Sequence, residues 1–274
     1  MYQALALGGG GVRGGLHVGA LAALERVRGN LIFPNGVYGC SVGSIVATAV
    51  AFGLSSVQIR TMFDTHFDLD NFIPSLRLSA VTELPERKGL FSMDLMEQTL
   101  IRAFQSQNVD LTNKLLGDAP QKLHIVASNM TRQTPTVFQG NIRVLDAIKC
   151  SSCLPLVFTP QVLYNQVYLD GGILMDSLSE LVPPDTLVLH ISSPSEAIFP
   201  HELSTLTLPS FVHRVYRSIR PKPFGSNVLW LQNTSIGILQ PLTPADKNLL
   251  YDQGYSQTLA FFAKRFPQKL EKGF

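Results

Sequence analysis

Two hydrophobic periods alternate along this chain. Residues 2–7 are apolar except for Gln3 and read as a buried strand, whereas Val18, Leu21, Leu24 and Val27 fall at helical spacing across residues 17–28. Four glycines, Gly8 to Gly11, stand between them, so the chain opens as strand, glycine loop, helix. The pattern repeats at once: residues 36–40 form a short strand, and residues 44–52 form a helix with apolar residues on every side, hence one buried all round. Ser92 is placed to cap a helix reaching about residue 105, with Asp94 and Glu97 in the first turn, where the helix dipole favours acids. Residues 124–128, 136–138, 166–169 and 186–191 read as further strands. Thr243-Pro244-Ala245-Asp246 is a capping box with proline at the first helical position, opening a helix to about residue 265. Strands and helices alternate without a repeat, a low-complexity tract or a Gly/Ser linker, so the expectation is an α/β fold in a single domain over residues 1–274.

Composition narrows the picture. The 274 residues are 45% hydrophobic, enough for one large core. The net charge of +2 is far from the dense basic face that nucleic-acid binding requires, so no nucleic-acid partner is expected. Residues 1–4 lack the charged and apolar regions of a signal peptide, and the longest buried-looking run, residues 43–54, is shorter than the roughly 20 residues that span a bilayer. Three cysteines, Cys40, Cys150 and Cys153, are too few for a disulfide framework; a cytoplasmic protein is expected.

Six glycines within residues 8–15 exceed what a plain turn needs, so the loop reads as a site for an anion or a developing negative charge. Gly9-Gly10-Gly11-Val12-Arg13-Gly14 has the form of a dinucleotide fingerprint, but no Asp or Glu occurs from Val27 to Phe63 to hold a ribose. A phosphate loop would end in Gly-Lys-Ser/Thr, whereas this one ends Gly14-Gly15-Leu16. Gly39-Cys40-Ser41-Val42-Gly43 then supplies G-x-S-x-G between a strand and a helix, the setting in which a strained turn lifts a serine Oγ above a sheet. Such a serine needs N–H donors for an oxyanion, and the glycine loop offers them at another helix N-terminus. None of the six histidines stands out as a base, while Asp170-Gly171-Gly172 closes a strand and places a carboxylate at its end, or forms an ordinary turn.

Together these segments resemble the patatin-like phospholipases, serine lipid acyl hydrolases that use a Ser/Asp dyad. Gly9 to Gly14 corresponds to the glycine-rich oxyanion motif with its Arg, Gly39 to Gly43 to the nucleophile elbow, and Asp170-Gly171-Gly172 to the DG(A/G) motif. Flanking segments agree: Lys88-Gly89-Leu90-Phe91, Ile125-Val126-Ala127-Ser128, and Ala147 to Ser152 running into Leu154 to Phe158. The resemblance implies a three-layer fold with a mostly parallel central sheet and helices on both faces. It implies Ser41 as nucleophile, Asp170 as general base, amides around Gly10, Gly11 and Val12 as oxyanion donors, a phospholipid or other lipid ester as substrate, and neither cofactor nor metal. Asp176 and Leu178 stand where the family usually has Asn and Pro, and a second carboxylate near Asp170 would raise its pKa.

Other readings are weighed against this one. Ser41, Asp170 and one of His190, His201 or His213 satisfy the order of an α/β-hydrolase triad, although too few strands precede Ser41 for that fold. A non-catalytic lipid-binding or interaction module of the same fold would be marked by a lost dyad residue, and both are present. Cys150-Ser151-Ser152-Cys153 reads as two packed thiols rather than a redox motif, and Asp64, His66, Asp68 and Asp70 as an exposed acidic turn. Phe67, Leu69, Phe72, Ile73, Leu76 and Leu78 read as core cover in preference to a lid. Arg13 is expected to support its loop. Arg214, Arg217 and Arg220, at helical spacing in a stretch without acids, read as a solvated helix or a contact to anionic lipid.

Overall fold

The structure is a computed structural model; it describes residues 2–76, 78–192, 198–206, 208, 211, 212, 214, 215, 225 and 227–266. Its strands are β1 (Ala4–Leu7), β2 (Gly36–Cys40), β3 (Gly89–Phe91), β4 (Leu123–Asn129), β5 (Thr134–Phe138), β6 (Leu156–Phe158), β7 (Gln161–Leu163), β8 (Gln166–Leu169), β9 (Thr186–Ser192) and β10 (Val228–Gln232). Strands β10, β9, β1, β2 and β4 lie side by side and parallel, followed by the antiparallel β8 and β7, with β5 also antiparallel to β4. All four residues of β1 are buried, because a strand in the middle of a parallel sheet is covered on both faces.

Alternation along the strands separates two layers. Leu5, Leu7, Val37, Ile125, Leu187 and Leu189 belong to the main core, shared with helices α1 (Gly15–Arg28), α2 (Val42–Ala51), α3 (Ser56–His66), α5 (Asp94–Gln105), α6 (Val144–Ser151) and α7 (Pro244–Arg265), α4 being Leu78–Arg87. Ala6, Cys40, Val126, Val188 and Val228 point the other way and pack against Met175, Leu178 and Val182 of the segment after β8, which carries two short 3-10 turns. Leu178, where a proline was expected from the family, is thus a core residue of this second layer. The capping box of α7 forms as its sequence predicts, with Asp246 and Thr243 bonding reciprocally.

Register sets the site. Leu7 pairs with Gly39 and with Leu189, and Cys40 with Val126, so the glycine loop and Ser41 leave the sheet at the same edge. Strand β5 occupies one side of β4 from Ile125 to Asn129, which forces β2 and β8 to share the other side. They meet end to end there: β2 stops at Cys40 opposite Val126, and β8, running the opposite way, stops at Leu169 opposite Ser128. The expectation that Asp170 ends a strand is met, but by an antiparallel strand that delivers it head-on toward Ser41.

Several local expectations change. Residues 56–66 form α3, capped by a Ser55/Gln58 box, so Asp64 and His66 lie in a helix rather than a turn. Helix α4 replaces the irregular stretch from residue 78, leaving only part of the stretch as core cover: Phe67 is buried and Phe72 and Ile73 pack on the core, while Leu76 and Leu78 are exposed. Helix α5 is capped at Met93, not Ser92, whose hydroxyl instead donates to the Asp94 carboxylate. Among the described residues, no helix is long and apolar enough to cross a membrane.

Candidate active site

Ser41 has φ 54° and ψ −131°, a combination that an L-residue holds only when its surroundings impose it. The turn works because the next helix begins against the first strand: a Cβ on Gly43 would lie 2.1 Å from the Leu7 carbonyl oxygen. Gly39 supports the same turn from below, facing Ser44 and Ala47 of α2, and Val42 opens that helix. The Ser41 carbonyl accepts from the Ser44 N–H and hydroxyl at 2.8 and 2.6 Å. The Ser41 N–H donates to Ser151 Oγ at 2.8 Å, and Ser151 in turn donates to the Val126 carbonyl at 2.6 Å.

The glycine loop lies directly above. A Cβ on Gly9 would meet Ser41 Cβ at 3.2 Å and its Oγ at 3.8 Å, so only glycine leaves the space beside the hydroxyl open. The loop is tied down from several sides. His17 Nε2 lies 2.8 Å from the Gly8 carbonyl, which can only accept, so the ring is a donor there; burial lowers its pKa to about 4 and keeps it neutral. Arg13 is buried and donates from Nε to the Gly10 carbonyl at 3.3 Å, as loop support requires. One expected oxyanion donor is withdrawn, since the Val12 N–H donates to Ile238 O at 3.0 Å; the neighbouring Arg13 N–H is likewise bonded, to Gly10 O at 3.3 Å. Gly14 ends the turn against Val42. Among the described residues, the amides of Gly9, Gly10 and Gly11 have no such bond.

Asp170 is buried, its N–H bonded to Cys153 O at 2.8 Å and its Oδ1 accepting from the Gly172 N–H at 2.9 Å. Burial drives the carboxyl from 3.8 up to about 6, against the opposing pull of the Ser41 hydroxyl and the Gly172 N–H. Oδ2 closes no hydrogen bond of ordinary length, so the Ser41 side chain stands beside the carboxylate without yet bonding to it. Desolvation is the main cause of this rise, where the sequence suggested a neighbouring carboxylate. A Cβ on Gly171 would lie 2.5 Å from Val126 O and 2.6 Å from Cys40 Sγ. Ser128 Oγ donates to Gly171 O at 3.1 Å and accepts from Leu174 N–H at 2.9 Å, bracing the turn from β4.

Ser41 stands where two cavities meet. One, of about 820 Å³ with its mouth, is mixed in character: Gly8–Gly11, Arg13, Asp170, Asp176 and His190 line it together with apolar groups such as Ile173, Met175 and Ile191. The other, of about 600 Å³, is walled almost wholly by apolar groups, among them Val42, Ile45, Phe67, Phe72, Ile73 and Phe158. Asp68, on its rim, pairs with the buried Lys247 at 2.8 Å, which ties the Phe67–Ile73 segment to α7.

Of the histidines considered for a triad, His190 lines the same cavity as Asp170 with its ring edge-on to Trp230, His201 is exposed, and His213 lies outside the described residues. Among the described residues, the Ser41 hydroxyl and the Gly172 N–H act on the Asp170 carboxylate. Arg217 and Arg220 also lie outside the described residues, while Arg214 is in a helical turn. Cys150 and Cys153 are buried thiols whose pKa desolvation raises to about 12, which suits packing and not redox chemistry. The bracing serines Ser151 and Ser128 and the loop anchor His17 carry no motif of their own; their role shows only where three strands and α6 converge.

Comparison with known proteins identifies a family. The family described as patatin-like phospholipase matches residues 5–180. Uncharacterized protein R571 of Acanthamoeba polyphaga mimivirus is 32% identical over 176 residues, which are 61% of this chain and 57% of that protein. Probable lipid hydrolase 463L of Invertebrate iridescent virus 6 is 28% identical over 181 residues, 63% of this chain and 60% of the other. The matched region thus spans about three fifths of these curated relatives. Among solved structures, VipD from Legionella pneumophila superposes with a TM-score of 0.59 at 15% identity, over 96% of this chain and 67% of VipD. A chain of the ExoU–SpcU complex from the type III secretion system of Pseudomonas aeruginosa gives 0.52 at 16% identity, over 97% of this chain and 52% of its own. These last two establish the fold.

Proposed function

This chain belongs to the patatin-like phospholipase family, and from that premise we propose that it hydrolyses acyl esters of lipids through an acyl-enzyme on Ser41, with Asp170 as general base. The observation that carries the reading is the placement of a strained serine beside a buried carboxyl with a pKa of about 6, under three uncommitted loop amides. A carboxylate at its ordinary pKa of about 3.9 is a weak base at neutral pH; burial brings Asp170 nearer the range where proton transfer is efficient. In the reaction, Ser41 Oγ attacks the ester carbonyl as its proton passes to Asp170. The amides of Gly9, Gly10 and Gly11 receive the oxyanion, and Asp170 then protonates the leaving alcohol. Water repeats the attack on the acyl-enzyme.

The two cavities support a lipid substrate in a stated pose: acyl chain toward Val42, Ile45 and Phe72, leaving alcohol and headgroup toward the cavity that carries Arg13 and Asp176. The name of the viral relative, probable lipid hydrolase, accords with this chemistry. Residues 1–274 are read as one catalytic domain, since β9 and β10 extend the sheet begun by β1 and α7 packs in the same core. The buried thiols of Cys150 and Cys153 accord with a reducing, cytoplasmic setting.

The test is hydrolysis of a fluorogenic phospholipid and of a soluble short-chain ester by wild type, Ser41→Ala, Asp170→Asn and His190→Ala. Both dyad variants are expected to lose activity by roughly 10³-fold or more, and His190→Ala to keep it within about threefold. Equal turnover by wild type and Ser41→Ala ends the reading; loss in His190→Ala equal to that in Asp170→Asn replaces the dyad by a triad.

A further inference from the structure

His17 is a buried polar side chain that the reaction on Ser41 does not itself use. Its neighbours along α1, Leu16, Val18, Leu21 and Leu24, are buried and apolar, as suits a helix packed in the main core. The His17 ring is also buried; its Nδ1 has no hydrogen-bond partner among the described residues, and its Nε2 lies 2.8 Å from the Gly8 carbonyl oxygen. A buried nitrogen left unpaired is a cost that an aliphatic side chain at this position avoids, so the bond to Gly8 is what the ring contributes.

That bond falls where the chain leaves the sheet. Strand β1 ends at Leu7, and the Gly8 N–H makes a last bond to Leu189 O at 3.0 Å. Beyond it no Cβ holds the peptide planes of successive glycines, so a Gly–Gly peptide turns over at little steric cost. The Gly8–Gly9 peptide is trans, and its N–H therefore points opposite to its C=O. Gly8 and Gly9 line the cavity that holds Asp170, whereas His17 lines neither cavity at Ser41. The ring thus draws the Gly8 carbonyl to the core side of the loop and turns the Gly9 N–H to the cavity side. A Cβ on Gly9 would lie 3.8 Å from Ser41 Oγ, which places this amide next to the hydroxyl. Two residues on, Arg13 Nε holds the Gly10 carbonyl at 3.3 Å, so alternate carbonyls of the loop are taken up by buried side chains.

We propose that His17 is a positioning residue for the oxyanion: its Nε2–H fixes the Gly8–Gly9 peptide so that the Gly9 N–H faces the space beside Ser41 Oγ. The proposal rests on the reading of Ser41 as the acylated nucleophile. Turned over, the same peptide presents its carbonyl oxygen to the developing negative charge and repels it; held by His17, the donor is in place before the substrate arrives.

The test compares wild type, Ser41→Ala, His17→Leu, His17→Asn and His17→Gln. Leucine removes the donor, the asparagine amide falls short of Gly8, and the glutamine amide can take the place of Nε2. For a short-chain ester, His17→Leu is expected to lower kcat roughly 30-fold and hold KM within about twofold. A trifluoromethyl ketone adds reversibly to Ser41 Oγ as the hydroxyl proton passes to Asp170, and its oxygen becomes the oxyanion; its inhibition constant is expected to rise by a similar factor. His17→Gln is expected to stay within about threefold of wild type on both measures. If His17→Leu fails to fold, His17→Asn carries the same expectations. A folded His17→Leu or His17→Asn with kcat near wild type overturns the proposal. So does equal loss in His17→Gln, or a fall in kcat with ketone inhibition unmoved, since the lost contact then lies outside the oxyanion site. Equal turnover by wild type and Ser41→Ala removes the reaction and the proposal with it, whereas turnover that depends on Ser41 and not on His17 removes the proposal alone.

Discussion

The Ser41 backbone N–H donates to the Ser151 hydroxyl, which donates to the Val126 carbonyl, so α6 clamps the strained residue to β4. Ser151→Ala leaves a buried N–H unpaired in a segment whose backbone is already strained. Stability is expected to fall by about 1–3 kcal/mol in urea unfolding, and kcat for a short-chain ester by roughly tenfold with KM held within about twofold. A purely packing role would lower stability and leave kcat of the folded protein unmoved.

Asp170 sets a pH dependence. With a carboxyl at about 6, kcat/KM is expected to rise through pH 6 and level off above it, as read from a pH–rate profile. The sign for stability runs the other way. A raised carboxyl pKa gives a contribution fully present below about pH 4 that is lost as pH rises through about 6. Asp170→Asn keeps the acceptor for Gly172 and removes the buried charge, so it is expected to be more stable than wild type at pH 8 by about 2–3 kcal/mol, an advantage that shrinks toward zero near pH 4. Equal melting of the two proteins at pH 8 would sink the assignment of the shift to desolvation.

Gly43 is expected to tolerate no side chain, because a Cβ there meets the Leu7 carbonyl at 2.1 Å and neither backbone can give way alone. Gly43→Ala should therefore destabilise by about 3 kcal/mol or more, or fail to fold, while Gly29→Ala, which meets nothing within 4 Å, should cost about 1 kcal/mol for its positive φ. Thermal melts of the two variants check the contrast.

Filling the apolar cavity should select against long chains. Ile73→Trp puts an indole into the cavity that Ile73 shares with Ile45 and Phe158 and is expected to reduce kcat/KM for a long-chain ester roughly tenfold, leaving a short-chain ester within about twofold. Parallel loss on both substrates would show that the chain lies elsewhere.

Much of this molecule is legible in its sequence because the relevant physics is local. The strand-loop-helix opening, the elbow around Ser41, the buried helix that follows and the capping box at Thr243 each follow from spacing and from which residues tolerate which backbone. Helix α4 was not legible: it breaks local expectation by carrying Pro85 within it and by leaving Leu78 and Val81 exposed. The donors of the loop were only partly legible, since the Val12 amide is taken by Ile238, more than 200 residues away, and no local pattern announces that bond.

What the sequence by itself determined is the inventory: a hydroxyl on a turn that only flanking glycines permit, a cluster of bare amides, and a carboxylate before two glycines. Tertiary structure alone decided their meeting. Because β5 fills one side of β4, strands β2 and β8 must share the other and run at each other, so Cys40 stops opposite Val126 and Leu169 opposite Ser128. Ser41 and Asp170 are the residues that come next, and the burial that raises the Asp170 pKa exists only once the sheet has closed around both.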